Sequence, residues 1–354
     1  MKKPYRIIAL AVGGMFFCTF FTLIGCNSLG STDYKKSVSV GDTWSKKADM
    51  PTKRGLFAIG VVNNKIYAIG GFDGNTKFYN VTEEYNPAND TWTTKAPMPT
   101  ARGFFAIGVI NNKIYAIGGY NHPNYLNVTE EYNPLNNTWT VKKPMPTARC
   151  LLAIGVVENK IYAIGGSKYT GDNPISINEE YNPLTDTWNN KSSMPTPRGA
   201  PAIGVSNNKI YVIDGDYSST VNEEYNPSNN TWTTKASIPD VPRKGFACGV
   251  VKNRIYIIGG YTALGYLSEN KEYDPINNTW STKTPMPTAR SRLAIGVVNN
   301  TIYAIGGYGG FEYENEEYSP PVYLVPENTG QFYIPFIIGT LVFIALWRKR
   351  DKIY

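Results

Sequence analysis

The stretch Arg102-Gly-Phe-Phe-Ala-Ile-Gly-Val-Ile-Asn-Asn-Lys-Ile-Tyr-Ala-Ile-Gly-Gly119 is followed, after a loop, by Glu130-Glu-Tyr-Asn-Pro134 and Thr138-Trp139. Near-identical copies run from Trp44 to Tyr318, and their Thr-Trp steps place Trp44, Trp92, Trp139, Trp188, Trp232 and Trp280 at spacings of 44 to 49 residues. A period of that length, built only from short strand-like runs and turn residues, predicts one small sheet per copy. Such a sheet cannot bury both faces by itself, so the copies must stack on one another.

Each copy supplies four strands. The first, Phe105 to Val109 in the quoted copy, is small and apolar, as crowding near a central axis requires. The Asn111-Asn112 turn leads tightly into the second strand, Lys113 to Ile117, in the manner of a two-residue hairpin. The third carries Glu-Glu-Tyr and stops at Asn133-Pro134, because proline cannot donate to a continuing ladder. The fourth begins at Thr138-Trp139 and ends near Pro146. No copy has a sustained helical period.

The double glycine after the second strand, with Tyr and Trp at fixed offsets beyond it, resembles the kelch repeat over about residues 40–318. The resemblance implies an all-β fold, a six-bladed kelch β-propeller of four-stranded blades. Trp44 heads a fourth strand with no first three before it. The last copy, Arg290 to Tyr318, has its first three strands and then Ser319-Pro320 where a Thr-Trp step should follow. The N-terminal strand is therefore expected to complete the last blade and remove the open edges.

The two ends suggest a membrane tether. Lys2, Lys3 and Arg6 precede an apolar run, Ile7 to Gly25, in the order of a secretory signal. Leu23-Ile24-Gly25-Cys26 resembles a lipobox, which would make Cys26 a lipidation candidate; the other reading is an uncleaved signal anchor. Phe332 to Trp347 is apolar and is followed by Arg348-Lys349-Arg350, which favours a transmembrane helix with a cytoplasmic basic tail. A processed surface-sorting tail is the alternative. The expected layout is an export segment at 1–26, a linker at 27–38, the propeller at 39–319, a linker at 320–331, the transmembrane helix at 332–347 and the tail at 348–354. Either end places the propeller outside the cytoplasm, at the cell membrane and facing an extracellular or periplasmic space.

The formal charge of +7 falls to +1 once Lys2, Lys3, Arg6 and the net +3 of residues 348–352 are set aside. The basic balance thus reports topology and gives no nucleic-acid patch. One histidine, His122, excludes multi-histidine metal sites, including the copper chemistry of kelch-containing galactose oxidases. No cofactor, metal or catalytic residue is expected. Cys150 and Cys248 occupy different phases of the first strand and read as small buried residues rather than a disulfide.

The repeated polar feature is an arginine four residues before the first-strand alanine: Arg54, Arg102, Arg149, Arg198, Arg243 and Arg290. Symmetry puts all six on one face around the axis. In kelch adaptor proteins, arginines at similar positions line a pocket for acidic motifs, so the resemblance implies carboxylate binding here. The competing role is structural, through Glu84, Glu131, Glu180, Glu224, Glu272 and Glu317, each just before the third-strand tyrosine. Loops after the double glycine vary in length and emerge on the same face. They carry Tyr120, Tyr125, Tyr169, Tyr217, Tyr261, Tyr266, Tyr308 and Tyr313, which suit protein or sugar contact. The fourth copy departs from the rule with Asp214-Gly215-Asp216, read as a tight turn. Sequons stand at Asn80, Asn89, Asn127, Asn136, Asn190, Asn229, Asn277 and Asn299.

These residues suggest a surface module that binds an extracellular protein or glycan through the arginine and loop face. A second reading follows from the resemblance to exported kelch proteins that are sialic-acid mutarotases. It needs a carboxylate clamp and an acid or base, for which Glu312 and Glu314 are the nearest candidates.

Overall fold

The computed structural model describes residues 38–168, 173–215, 220–239, 242–310 and 313–324. The N-terminal export segment with Cys26 and the apolar run 332–347 with its basic tail lie outside them. Among the described residues no helix is long and apolar enough to cross a membrane, and the expected span at 332–347 is not among them. All regular structure in the described residues is β-strand. Ser39–Leu324 forms one compact unit.

Six four-stranded antiparallel sheets follow one another as the blades of a propeller. The second blade shows the plan, with strands Ala106–Ile110, Lys113–Ile117, Thr129–Asn133 and Thr138–Lys142 running outward from the axis. In the sixth blade the fourth strand is Thr43–Lys47, paired to Asn315–Ser319 with Trp44 opposite Tyr318. The N-terminal strand therefore closes the ring, as the phasing of the copies predicts. Val38–Val40 then pairs with Val322–Leu324, so the two ends leave the propeller as one short ribbon.

The core is divided among the gaps between blades. Met50, Phe57, Ile66, Tyr85, Tyr303 and Ile305, drawn from the first blade, the sixth blade and the turn joining them, form one buried cluster. Equivalent clusters fill the other five gaps. The innermost glycines are required by this packing. A Cβ added at Gly60 would lie 3.0 Å from Ile114 of the next blade, and one at Gly204 would lie 2.8 Å from Ile255. Only a residue without a side chain lets neighbouring inner strands approach that closely.

A repeated clamp joins blades at the outer rim. The indole of Trp92 donates to the Ala48 carbonyl at 2.9 Å, and the Ala48 amide donates to Asp90 Oδ1 at 2.8 Å. The Tyr85 hydroxyl reaches the same Asp90 oxygen at 2.6 Å. Ala96, Lys143, Ser192, Ala236 and Thr284 are gripped in the same two-way manner by the next blade. The gripping Asx residue adopts a left-handed backbone in every blade, from Asp42 at φ 64° to Asp186 at φ 51°, a conformation that Asn and Asp tolerate better than other side chains.

Candidate binding face

The six arginines and the variable loops share a face, as strand direction requires. Residues just after the arginines bridge to residues just after the double glycines: Gly55 to Phe72, Gly103 to Tyr120, Lys244 to Tyr261 and Ser291 to Tyr308. The guanidinium groups do not reach the surface, however. Each arginine is 0–1% exposed.

Five of them serve as struts within their own blade. Arg54, Arg102, Arg149 and Arg290 lie 2.5, 2.6, 2.5 and 2.7 Å from Glu83, Glu130, Glu179 and Glu316, and Arg198 pairs with Glu223. The same guanidinium donates to a second-strand carbonyl, as from Arg102 to Ala116 O at 3.0 Å. A threonine hydroxyl completes each carboxylate, as from Thr100 to Glu130 at 2.7 Å. Burial pulls these guanidinium groups below their usual range, and the facing glutamate pushes back.

The acid that receives the arginine is one residue earlier than the sequence suggests. Successive strand residues point to opposite faces, so Glu83 meets Arg54 while Glu84 turns to Tyr67, Lys65 and Lys95. The side-chain tie is also within a blade. The arginine backbone is what joins blades, since Gly71 N donates to Arg102 O and Gly119 N to Arg149 O, each at 2.9 Å.

The fourth and fifth blades break the rule together. Lys271 stands where the other blades have the strut glutamate, and Arg243 pairs instead with Glu269 at 2.6 Å, a side chain 43% exposed. The segment Ile238-Pro239-Asp240-Val241-Pro242-Arg243 is one residue longer than Met98-Pro99-Thr100-Ala101-Arg102. Asp214 replaces the first glycine of the pair; at the equivalent Gly70, an added Cβ would come within 2.7 Å of Arg102 O. Asp214 is fully buried, has φ 52°, and accepts the Gly215 amide at 2.7 Å. Burial pushes its carboxyl up to about 7, against the amides of Gly215 and Arg243 and the charges of Arg243 and Arg198. Asp216 lies outside the described residues.

At the axis, six equivalent residues two positions after the arginines form a collar: Leu56, Phe104, Leu151, Ala200, Gly245 and Arg292. All have a left-handed backbone, between φ 47° and φ 64°. Their amides hand hydrogen bonds around the ring, from Phe104 to Leu56 at 3.0 Å, Leu151 to Phe104 at 2.8 Å, Ala200 to Leu151 at 2.7 Å and Leu56 to Arg292 at 3.2 Å, with Arg292 donating to Gly245. Five members are apolar, and Arg292 alone is charged. Gly245 makes room for it, because a Cβ there would lie 2.9 Å from Arg292 Cγ. The Arg292 guanidinium stands 6.0 Å from the Phe104 ring.

Beside the collar, loops of the fifth, sixth and first blades enclose a hollow of about 690 Å³. Tyr261, Tyr266 and Tyr308 supply its aromatic surface, and Lys244 and Arg292 its cations. Tyr261 and Tyr266 are 41% and 46% exposed, with ring centroids 5.4 Å apart. Tyr308 is held rigid: its ring lies over Gly55, where a Cβ would clash at 2.8 Å, and its hydroxyl donates to Phe72 O at 3.0 Å. Asp73 also lines the hollow, but its Oδ1 accepts the amides of Asn75, Thr76 and Lys77, which hold its pKa low. Leu264, 98% exposed, caps the hairpin between Tyr261 and Tyr266.

The sequence-predicted tyrosines thus divide. Tyr120 and Tyr125, 4.9 Å apart, join Phe72, Phe78 and Phe104 in an aromatic cluster on the first two blades. Tyr120 also pairs with exposed His122 at 2.8 Å. Tyr313 lies under the Lys53 ammonium, Tyr169 and Tyr217 fall outside the described residues, and Tyr308 joins Tyr261 and Tyr266 in the hollow. Glu314 is buried and paired to Lys46 at 3.0 Å, and Glu312 is outside the described residues. Cys150 and Cys248 form no disulfide, and burial pushes the Cys248 thiol up to about 12. Lys244 and Arg292 were missed by the sequence reading. Their signal is a departure from the repeat, since the other blades have Gly, Cys or Ser at the first of these positions and apolar residues or glycine at the second.

Comparison with curated proteins gives no match. Among solved structures, that of YjhT matches with a TM-score of 0.66 at 16% identity, over 79% of this chain and 97% of that one, which speaks for the fold alone. The model of the KLHDC2/KLHL20/DRC7 Kelch-repeats domain matches residues 33–215 and 153–318. With six closed blades carrying the repeat throughout, the chain belongs to the kelch-repeat family.

Proposed function

We propose that this propeller is a non-catalytic recognition module that binds a protein or glycan through its loop face, outside the cytoplasm. The supporting observation is the hollow beside the axis. Three tyrosines offer stacking surface, and Lys244 and Arg292 make no ion pair with any described residue. Stacking surface beside two cations without an ion-pair partner suits a ligand that presents an acidic group next to a ring or apolar segment. The six repeat arginines contribute by holding the blades rigid beneath the loops.

The mutarotase reading uses the same cations as a carboxylate clamp, but proton transfer also needs a free acid or base. Asp73 is engaged by three amides and Glu314 by Lys46. The binding reading therefore requires less of the site.

The test is to screen the purified full chain against arrayed acidic glycans and extracellular proteins of its source, then repeat with Arg292→Ala and Lys244→Ala. Binding that weakens at least tenfold in Arg292→Ala and falls with salt supports the proposal. Accelerated exchange of sialic-acid anomers, lost in the same variants, would replace it with the enzymatic reading. Export is tested by adding protease to intact cells: degradation of the propeller is expected, and full protection would reverse it.

A further inference from the structure

The opposite face of the propeller carries a second regular feature, the turn before each outer strand. In the first, second and fourth blades this turn holds the sequons Asn89-Asp90-Thr91, Asn136-Asn137-Thr138 and Asn229-Asn230-Thr231. We propose that Asn89, Asn136 and Asn229 are N-glycan acceptors, so that sugars ring the turn face and leave the hollow clear. The inference goes beyond the binding reading and rests on its export component, because the sugar donor must be met outside the cytoplasm.

Repetition explains why several sequons exist, and the geometry distinguishes among them. The middle residue of each of these three is the inter-blade clamp. Asp90, Asn137 and Asn230 have left-handed backbones, and their Oδ1 atoms accept the amides of Ala48, Ala96 and Ser192. With the middle residue tied to the neighbouring blade, the flanking asparagine and threonine stand exposed in all three turns. The threonine hydroxyl donates to the asparagine Oδ1 at 2.7 Å in each. No hydrogen bond among the described residues engages the Nδ2 of Asn89, Asn136 or Asn229, which leaves the reacting nitrogen in solvent.

The remaining sequons are less well presented. Asn80 and Asn127 are half-buried on the loop face, and Asn190 lies within the paired strand Thr187–Lys191. Asn299 lies in the tight two-residue turn between inner strands, with φ 49°. Asn277 occupies the same rim turn in the fifth blade, but its Nδ2 donates to Asp274 Oδ2 at 2.6 Å, because that blade has Asp where the others have Asn or Ser.

The modification joins the asparagine Nδ2 to the anomeric carbon of a polyprenyl-phosphate-linked oligosaccharide. The carbon–oxygen bond to phosphate breaks, the lipid phosphate leaves with its electron pair, and the amide gives one proton to a base of the transferring enzyme.

The test is peptide mass spectrometry on the full chain isolated from its own cells, alongside protease accessibility on intact cells. Glycan mass on the peptides holding Asn89, Asn136 and Asn229, with Asn277 modified to a smaller extent, is the expected result. Thr138→Ser should keep the glycan at Asn136, whereas Thr138→Ala and Asn136→Gln should lose it with the other two sites unchanged. Bare carboxamides at all three positions in a protease-accessible propeller overturn the proposal and leave the export reading standing. Bare carboxamides in a fully protected propeller overturn both. Equal occupancy at Asn277 overturns the argument from carboxamide geometry.

Discussion

At the scale of single residues, the arginine struts show why a buried ion pair is better judged by its removal than by its presence. A paired buried charge contributes little net stability, but deleting one partner strands the other. Arg102→Ala should therefore cost about 3–5 kcal/mol, read as a lowered denaturant midpoint. Arg243→Ala should cost clearly less, because Glu269 is 43% exposed and stays hydrated without its partner. Equal losses would show that packing of the guanidinium, rather than the stranded carboxylate, sets the cost. Asp214 carries a pH signature. Its folded pKa of about 7 lies above the ordinary 3.8, so the folded state keeps its proton longer than the unfolded chain. Stability should fall as pH rises from about 4 to about 7 and level off above, by an amount on the order of 4 kcal/mol. Asp214→Asn should abolish this decline in a series of denaturant melts, and parallel curves for the two proteins would exclude it. The arginine positions were legible in the sequence, but their partners were not. A one-residue offset on a strand reverses the face a side chain serves, and Glu83 and Glu84 are identical in kind.

At the scale of elements, the rim clamp is the unit that holds neighbouring blades in register. Asp90→Ala removes acceptors from both the Ala48 amide and the Tyr85 hydroxyl, and should cost about 1–3 kcal/mol. Asp90→Asn keeps an acceptor, as Asn137, Asn230 and Asn278 do in their own blades, and should cost much less. Three clamps use aspartate: Asp42, Asp90 and Asp186. Burial pushes these carboxyls up, but the tyrosine hydroxyl and the backbone amide together hold them below 3.8. An acid with a depressed folded pKa stabilises the protein above its unfolded value and loses that contribution as pH falls through the folded one. The wild-type should therefore weaken below about pH 4, and replacing all three aspartates with asparagine should make that limb of the curve shallower, with Glu84, Glu131, Glu180 and Glu224, whose pKa values are also lowered, supplying the rest. The strand order and turn type of the blades could be read directly from their recurring Asn-Asn, Asn-Pro and Thr-Trp steps, which vary only to Glu158-Asn159, Lys252-Asn253, Asp274-Pro275 and Ser319-Pro320. The clamp could not, because its acceptor and its donors belong to different copies.

At the scale of the whole molecule, closure depends on Thr43–Lys47 completing the sixth blade. Deleting residues 38–47 removes Trp44 from its stack on Tyr318, where the ring centroids are 4.9 Å apart, and exposes the edge of Asn315–Ser319. The truncated protein should unfold at lower temperature and associate through that edge. A truncated protein that stays monomeric with an unchanged melting curve would mean that the ring does not need its seam. The same seam fixes how the ends depart. Outer strands begin on the turn face, so the ribbon of Val38–Val40 and Val322–Leu324 continues from the side opposite the variable loops. The hollow therefore lies on the other face from both ends of the propeller.

By itself the sequence determined the number of blades, the four strands in each, the seam at the N-terminal strand and the common face of arginines and loops. These follow from a period, its turn residues and the direction of antiparallel strands, all of which are local or follow from repetition. Tertiary structure alone decided which side chains on that face are free. The six arginines, the most regular feature of the chain, are buried, and in five copies a third-strand glutamate draws the arginine inward. The fifth carries Lys271 at that position, and its arginine turns to Glu269. Lys244 and Arg292 lie among the copies as single departures from the pattern. Only the closing of the ring brings the fifth, sixth and first blades together, so that these two cations meet Tyr261, Tyr266 and Tyr308 in one hollow.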